Sequence, residues 1–278
     1  MHIARVVAGM ETADGDGVRL TRMIGTQQVE QIDPFLMLDR FDNDDPGAYI
    51  GGFPSHPHRG FETVTIMLDG RMRHKDSTGG EGVIGPGDVQ WMTAGRGIVH
   101  SEMPEQVEGR MRGFQLWLNL PSTDKMTAPG YQDIVADSIP AVRADGRTVH
   151  VVAGEYEGVT GPARAHTPVT LLRAELDAGA TLTVEPADGH NAFFCIYEGS
   201  VTGQDSLGRE NEALAPSLAV LHGEGAITVT AGANGAALFY GDARPIAEPV
   251  ARYGPFVMNT REELIQAVQD YQSGRFGT

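Results

Sequence analysis

The sequence predicts an all-β protein of two tandem β-barrel units followed by a short C-terminal helix, and three observations predict it. Glycine and proline are abundant, 36 and 16 of 278 residues, and they punctuate many short β-forming runs, as tight loops between strands require. The apolar run that ends at Asp69-Gly70 has an echo ending at Glu198-Gly199, an offset of 129 residues. Near the end, Leu264, Ile265, Val268 and Tyr271 recur at helical spacing. The 41% hydrophobic content suffices for one large core or two modest ones.

In chain order, residues 1–50 read as short strands and loops around the apolar knot Asp33-Pro34-Phe35-Leu36-Met37-Leu38-Asp39, followed by the acidic turn Asp42-Asn43-Asp44-Asp45-Pro46-Gly47. Phe61-Glu62-Thr63-Val64-Thr65-Ile66-Met67-Leu68 is strongly β-forming, and Asp69-Gly70 ends it as a hairpin turn. Gly79-Gly80-Glu81-Gly82 is a flexible loop. Val89-Gln90-Trp91-Met92-Thr93 is a strand, and the bend Ala94-Gly95-Arg96-Gly97 returns 98–103 toward residues 56–58. A strand over 114–120 is closed by Pro121, and 121–147, richer in Pro, Asp, Ser and Gly, reads as the linker region. The units are therefore taken as 1–134 and 135–278. The offset places Glu185, Ala187 and Asn191 where the first unit has His56, His58 and Glu62, so the second unit reads as a copy without metal ligands. His222-Gly223-Glu224, with no HxH partner, reads as a turn. The chain closes with a packing helix over 260–273, with Asn259 or Thr260 as N-cap and Glu262 and Glu263 in the first turn.

A net charge of −16 argues against a direct electrostatic grip on nucleic acid or an anionic membrane. The lone cysteine, Cys195, lies among Phe193, Phe194 and Ile196 and reads as a buried small residue. The start of the chain lacks the apolar stretch of a signal peptide, and no run approaches the ~20 apolar residues of a bilayer span. The expectation is a soluble protein of a reducing compartment, the cytoplasm.

The chemistry concentrates in His56-Pro57-His58 and His100-Ser101-Glu102. In an extended strand alternate side chains share a face, so each pair points one way. Two such strands side by side converge three imidazoles and one carboxylate on one point. That donor set leaves positions open on a six-coordinate ion for O2 or substrate. One HxH in a β-rich chain is weak evidence; a second pair at the same spacing, close behind the turn Pro86-Gly87-Asp88, strengthens it. His2, His74, His150, His166, His190 and His222 have no partner ligand at strand spacing and read as surface or hydrogen-bonded structural residues. His74, within Arg73-His74-Lys75-Asp76, reads as part of a solvated strand end.

Longer stretches carry a more specific signal: Gly52-Phe53-Pro54-Ser55-His56-Pro57-His58-Arg59-Gly60-Phe61-Glu62-Thr63-Val64, the segment from Pro86 to Pro104, and Gly254-Pro255-Phe256-Val257-Met258-Asn259-Thr260. With Asp33-Pro34-Phe35-Leu36 and Leu116-Trp117-Leu118-Asn119-Leu120, they make the chain resemble the pirins, a branch of the cupin superfamily, nearly end to end. The resemblance implies two stacked jelly-roll-like cupin barrels, of which the N-terminal one alone binds metal. It also implies His56, His58, His100 and Glu102 as the ligands. Generic cupins would use Glu62 instead; Glu102 is preferred because it shares the face of His100. Glu62 keeps two readings, as an acceptor for a ligand imidazole N–H or acid/base group, and as an ordinary strand residue.

Some pirins resemble quercetin 2,3-dioxygenases, which open the flavonol ring with O2 and release carbon monoxide. On that resemblance the cofactor is Fe(II), although imidazole and carboxylate also accommodate Mn, Co, Ni, Cu or Zn. The partners are a flavonol-like aromatic and O2, and Glu102 or Glu62 takes the proton of the 3-hydroxyl. Phe53, Met92, Gln115 and Trp117 are candidate cavity residues, each with an ordinary core reading beside it. Arg59 is a candidate entrance residue that steers an anionic flavonolate or pairs with an acid. The rival reading is an iron-dependent redox-sensing regulatory protein that acts through a protein partner, without physiological turnover.

Overall fold

The computed structural model describes residues 1–277, which form strands throughout with a single α-helix among the described residues. They fall into two compact units. One takes Glu11–Gly25, Pro34–Ala136 and the chain from Ile246 on; the other takes Met1–Met10, Thr26–Asp33 and Asp137–Pro245. This differs from a single cut at 134/135 at both ends of the chain. The first strand, His2–Ala8, pairs with Ser217–His222 and so joins the later unit. The C-terminal helix joins the earlier one, where Asp270 accepts a hydrogen bond from Arg59 Nη1 at 2.9 Å.

The earlier unit holds a seven-stranded sheet in the order Gly130–Ile134, Val89–Thr93, Phe61–Asp69, Met111–Asn119, Phe35–Asn43, Val18–Ile24, Met10–Asp14. A four-stranded sheet runs Phe53–His58, Ile98–Pro104, Met72–Asp76, Glu81–Ile84. Phe41, Met67 and Met111 of the larger sheet share a core with Met72 and Ile84 of the smaller. The sheets thus pack face to face in the jelly-roll manner, rather than closing into one ring of strands. The β-forming run at 61–68 is central, between Val89–Thr93 and Met111–Asn119, and its first seven residues are all buried. A buried run containing Glu62, Thr63 and Thr65 needs partners for its polar groups, which marks this strand as one wall of a polar site.

The later unit is built on a nine-stranded sheet, with Leu172, Phe194, Val229 and Leu238 in its core and Cys195 fully buried. Glu198-Gly199 does not end a strand here. It lies inside Asn191–Gln204, flanked by register shifts. Gly199 has φ 64°, and a Cβ there would sit 2.0 Å from the Gly235 carbonyl oxygen, so the glycine serves a bulge and close strand approach. The stretch 121–147 is likewise more than a linker. Gly130–Ile134 pairs with Val89–Thr93, and Ala141–Ala144 with Arg147–Ala153.

The helix spans Arg261–Gln272. Thr260 caps it by accepting from Glu263 N at 3.2 Å, while the Glu263 carboxylate accepts from Thr260 N at 2.9 Å. Its apolar stripe is only partly covered, with Ile265 and Tyr271 50% and 42% exposed. No helix among the described residues is long and apolar enough to cross a membrane.

Candidate metal centre

The two histidine-bearing strands are neighbours in the four-stranded sheet, with His100 directly opposite His56 and Ile98 opposite His58. Alternation then brings the three imidazoles to one face. His56 Nε2 lies 2.9 Å from His58 Nε2 and 2.9 Å from His100 Nε2, and all three ligand nitrogens fall within 4.8 Å of one another. Two cis ligands at about 2.1 Å from one ion, at right angles, would stand about 3 Å apart, so the spacing suits one face of an octahedron. The tautomer also suits it. His56 Nδ1 donates to the Pro54 carbonyl at 2.7 Å, which leaves the Nε2 lone pair facing the cluster.

Two of the imidazoles, His58 and His100, are held neutral. Burial pushes His58 well below the usual histidine range, and repulsion from His100 and His56 adds to it. Burial pushes His100 down to about 4, against an opposing pull from Glu102. Phe61 and Trp117 pack edge-on against His58, with ring centroids 5.0 and 5.2 Å away, which keeps water from that side.

Glu102 is buried beside this group but is not a member of it. The register shifts between His100 and Glu102. The carboxylate accepts from Thr65 Oγ1 at 3.0 Å and from Gln115 Nε2 at 2.7 Å. Glu62 is fully buried, and its Oε1 accepts from Thr93 Oγ1 at 2.7 Å.

His74 departs from the solvated position expected for it. It lies directly opposite Glu102, is 2% exposed, contacts Gln90 Nε2 through Nδ1, and stacks on Tyr131 at 5.1 Å. Arg73 and Lys75 point outward while Met72 and His74 point inward. The alternation was present in the sequence, and the charged flanks masked it.

A cavity of about 460 Å³ opens on the cluster. His56, His58, Phe53, Gln115 and Trp117 line it. Met92 does not; it is core, packed with Ala94 and Ile98. Arg59 does not either. It is 3% exposed, with Nε donating to the Arg96 carbonyl at 2.6 Å, Nη1 to Asp270, and its guanidinium 4.7 Å from the Phe276 ring. The cation that lines the cavity is Arg252, from the short strand Ala251–Tyr253. No local motif announces it. A larger hollow in the other unit, about 610 Å³ and lined by Thr202, Gln204 and Glu210, has no imidazole in its wall, so size does not locate the site.

The family signature described as Pirin matches residues 17–118, and that described as Pirin C-terminal cupin domain matches 171–277. A pirin-like protein of Caulobacter vibrioides is 52% identical over 99% of this chain and 98% of its own. The crystal structure of a quercetin 2,3-dioxygenase from Acinetobacter baumannii superposes with a TM-score of 0.91 at 34% identity, covering 100% of this chain and 98% of that one. A bacterial pirin from Escherichia coli, solved in complex with nickel(II), shares the fold with a TM-score of 0.68 at 18% identity, over 87% of this chain and 100% of that one.

Proposed function

The chain belongs to the pirin family, and from that premise we propose that it is an Fe(II)-dependent dioxygenase of flavonols such as quercetin, taking up O2, opening the flavonol ring and releasing carbon monoxide. The observation that carries this reading is the convergence of His56, His58 and His100 on one point, with His56 and His58 lining a cavity walled by Phe53 and Trp117. Three imidazoles with an adjacent carboxylate, Glu102, suit an ion that must keep open positions, and Fe(II) is our choice among Fe, Mn, Co, Ni, Cu and Zn. Bound there, the ion would supply Lewis acidity toward the flavonol 3-hydroxyl and a place for O2.

The remaining work falls to the chain itself. Phe53 and Trp117 give the cavity apolar lining for a planar ring system. Glu102, oriented by Thr65 and Gln115, takes the 3-hydroxyl proton at a carboxylate oxygen; Glu62, fixed by Thr93, is the other carboxylate for that role. We place the reaction in the cytoplasm.

Anaerobic reconstitution with Fe(II), followed by measurement of quercetin loss, O2 uptake and carbon monoxide release, tests the reading, with His56→Ala alongside. Metal-dependent turnover with stoichiometric carbon monoxide, lost in the variant, supports it. Iron binding without turnover refutes the enzyme and favours the redox-sensing regulator, whose readout is oxidation-dependent binding of a protein partner.

A further inference from the structure

Arg252 is the sole Lys or Arg among the described residues lining the metal-site cavity. Its guanidinium carbon sits 4.7 Å from the Trp117 ring centroid, and Trp117 in turn packs on His58. A guanidinium lying on an indole face is held as a flat fork with its N–H edge directed outward. That edge has little to bind within the protein. Its hydrogen-bond contact among the described residues is Nη2 to Met37 Sδ at 3.9 Å, a weak acceptor.

The nearby acids are already engaged. Asp39 accepts from Arg22 Nε and Nη2 at 2.8 and 2.7 Å, and Asp14 accepts from the same Nη2 at 3.0 Å. Among the described residues no carboxylate lies within ion-pair reach of Arg252, whereas Arg22, Arg59 and Arg110 each hold at least one. Burial lowers the pKa of Arg252 and repulsion from Arg22 adds to this, with Asp39 and Asp14 acting the other way, so the charge is held at a cost that an anion would relieve.

The backbone fixes where this fork stands. Ala251–Tyr253 forms a hairpin with Phe256–Met258. Its turn and second strand are stitched to the residue after His58: Arg59 N donates to the Pro255 carbonyl at 3.3 Å, and Val257 N to the Arg59 carbonyl at 3.0 Å. Arg252 is therefore registered against the strand that carries His56 and His58.

Resting on the reading of this cavity as the substrate site, we propose that Arg252 is a specificity-determining residue. Its guanidinium receives an anionic oxygen, a carboxylate or an ionised phenol, on the part of a planar aromatic substrate remote from the histidine cluster. The preferred substrates are aromatic acids and polyphenols rather than neutral aromatics of the same shape.

Calorimetry on the metal-reconstituted protein under anaerobic conditions tests this by binding, without turnover. The probes are two matched pairs: quercetin against 3-hydroxyflavone, and cinnamate against cinnamyl alcohol. Arg252→Gln and Arg252→Lys are compared with the parent, and thermal melts verify that each is folded. A charge-assisted contact predicts that quercetin, through its hydroxyls remote from the 3-position, and cinnamate each lose about tenfold in affinity in Arg252→Gln. 3-Hydroxyflavone and cinnamyl alcohol are unchanged, and Arg252→Lys recovers part of the loss. Equal loss for both members would make Arg252 a wall of the cavity and overturn the proposal, as would no loss at all. If flavonols fail to bind but cinnamate still discriminates the variants, the flavonol reading falls and this one stands. If no probe binds, this proposal falls.

Discussion

Lys125 offers the sharpest physical test of how the site's unit is held together. It is 1% exposed, and Nζ donates to the Gly60 carbonyl at 2.8 Å, Asn119 Oδ1 at 2.8 Å and the Val257 carbonyl at 3.0 Å. A single ammonium thus ties the turn after His58 to the C-terminal segment. Burial lowers its pKa from 10.5 to about 8, with Glu248 and Glu263 pulling the other way. Between those values the unfolded chain binds more protons at this position than the folded one, so stability rises with pH. The contribution is complete above the unfolded value of 10.5 and is lost as pH falls through 8. From pH 7 to 9.5 the gain is about 2 kcal/mol. Both tryptophans, Trp91 and Trp117, lie in this unit, so tryptophan fluorescence during urea unfolding reports on it. Lys125→Met leaves three acceptors without their donor and costs a few kcal/mol at every pH, but it removes the slope. Urea midpoints of parent and variant that run parallel from pH 7 to 9.5 would refute the reasoning.

Two further outcomes follow from the site itself. Glu102→Gln keeps the shape and removes the carboxylate; kcat for quercetin should fall by about a hundredfold or more, and unchanged kcat would transfer the proton-accepting role to Glu62. For His100, depressed from 6.5 to about 4, the metal-free protein carries a stabilisation that is full above 6.5 and lost as pH falls toward 4, about 3 kcal/mol in all. Fluorescence-monitored melting of the metal-stripped protein across that window should show the loss, and His100→Gln should flatten it.

Much of this was legible along the chain because it depends on local rules. Strand alternation set His56, His58 and His100 on one face, and the N-cap candidates Asn259 and Thr260, with acids in the first turn, placed the helix start to within a residue. What failed did so where the outcome depends on a distant partner. Glu198-Gly199 looks like a strand end, yet close approach of Gly235 turns it into a bulge in a continuing strand. His74 sits among charges, yet its inward neighbours Gln90 and Tyr131 come from strands far along the chain.

The same logic decides between the two readings of Arg59, cavity entrance or partner of an acid: it pairs with Asp270, and the cation of the cavity is Arg252. Arg59 adjoins the ligand pair in sequence, but its neighbour in space is the C-terminal helix, and Asp270 with the Arg96 carbonyl takes its donors. Gly60 shows the cause. It has φ 89°, and a Cβ there would lie 1.9 Å from the Val257 carbonyl oxygen, so the chain after His58 leaves room for a returning segment. That segment satisfies Lys125 through Val257, occupies Arg59 through Asp270, and presents Arg252 to Trp117. The three histidines sit at strand spacing in two neighbouring strands, whereas Arg252 reaches the cavity from near the far end of the chain, which is why the cluster could be read from a motif and Arg252 could not.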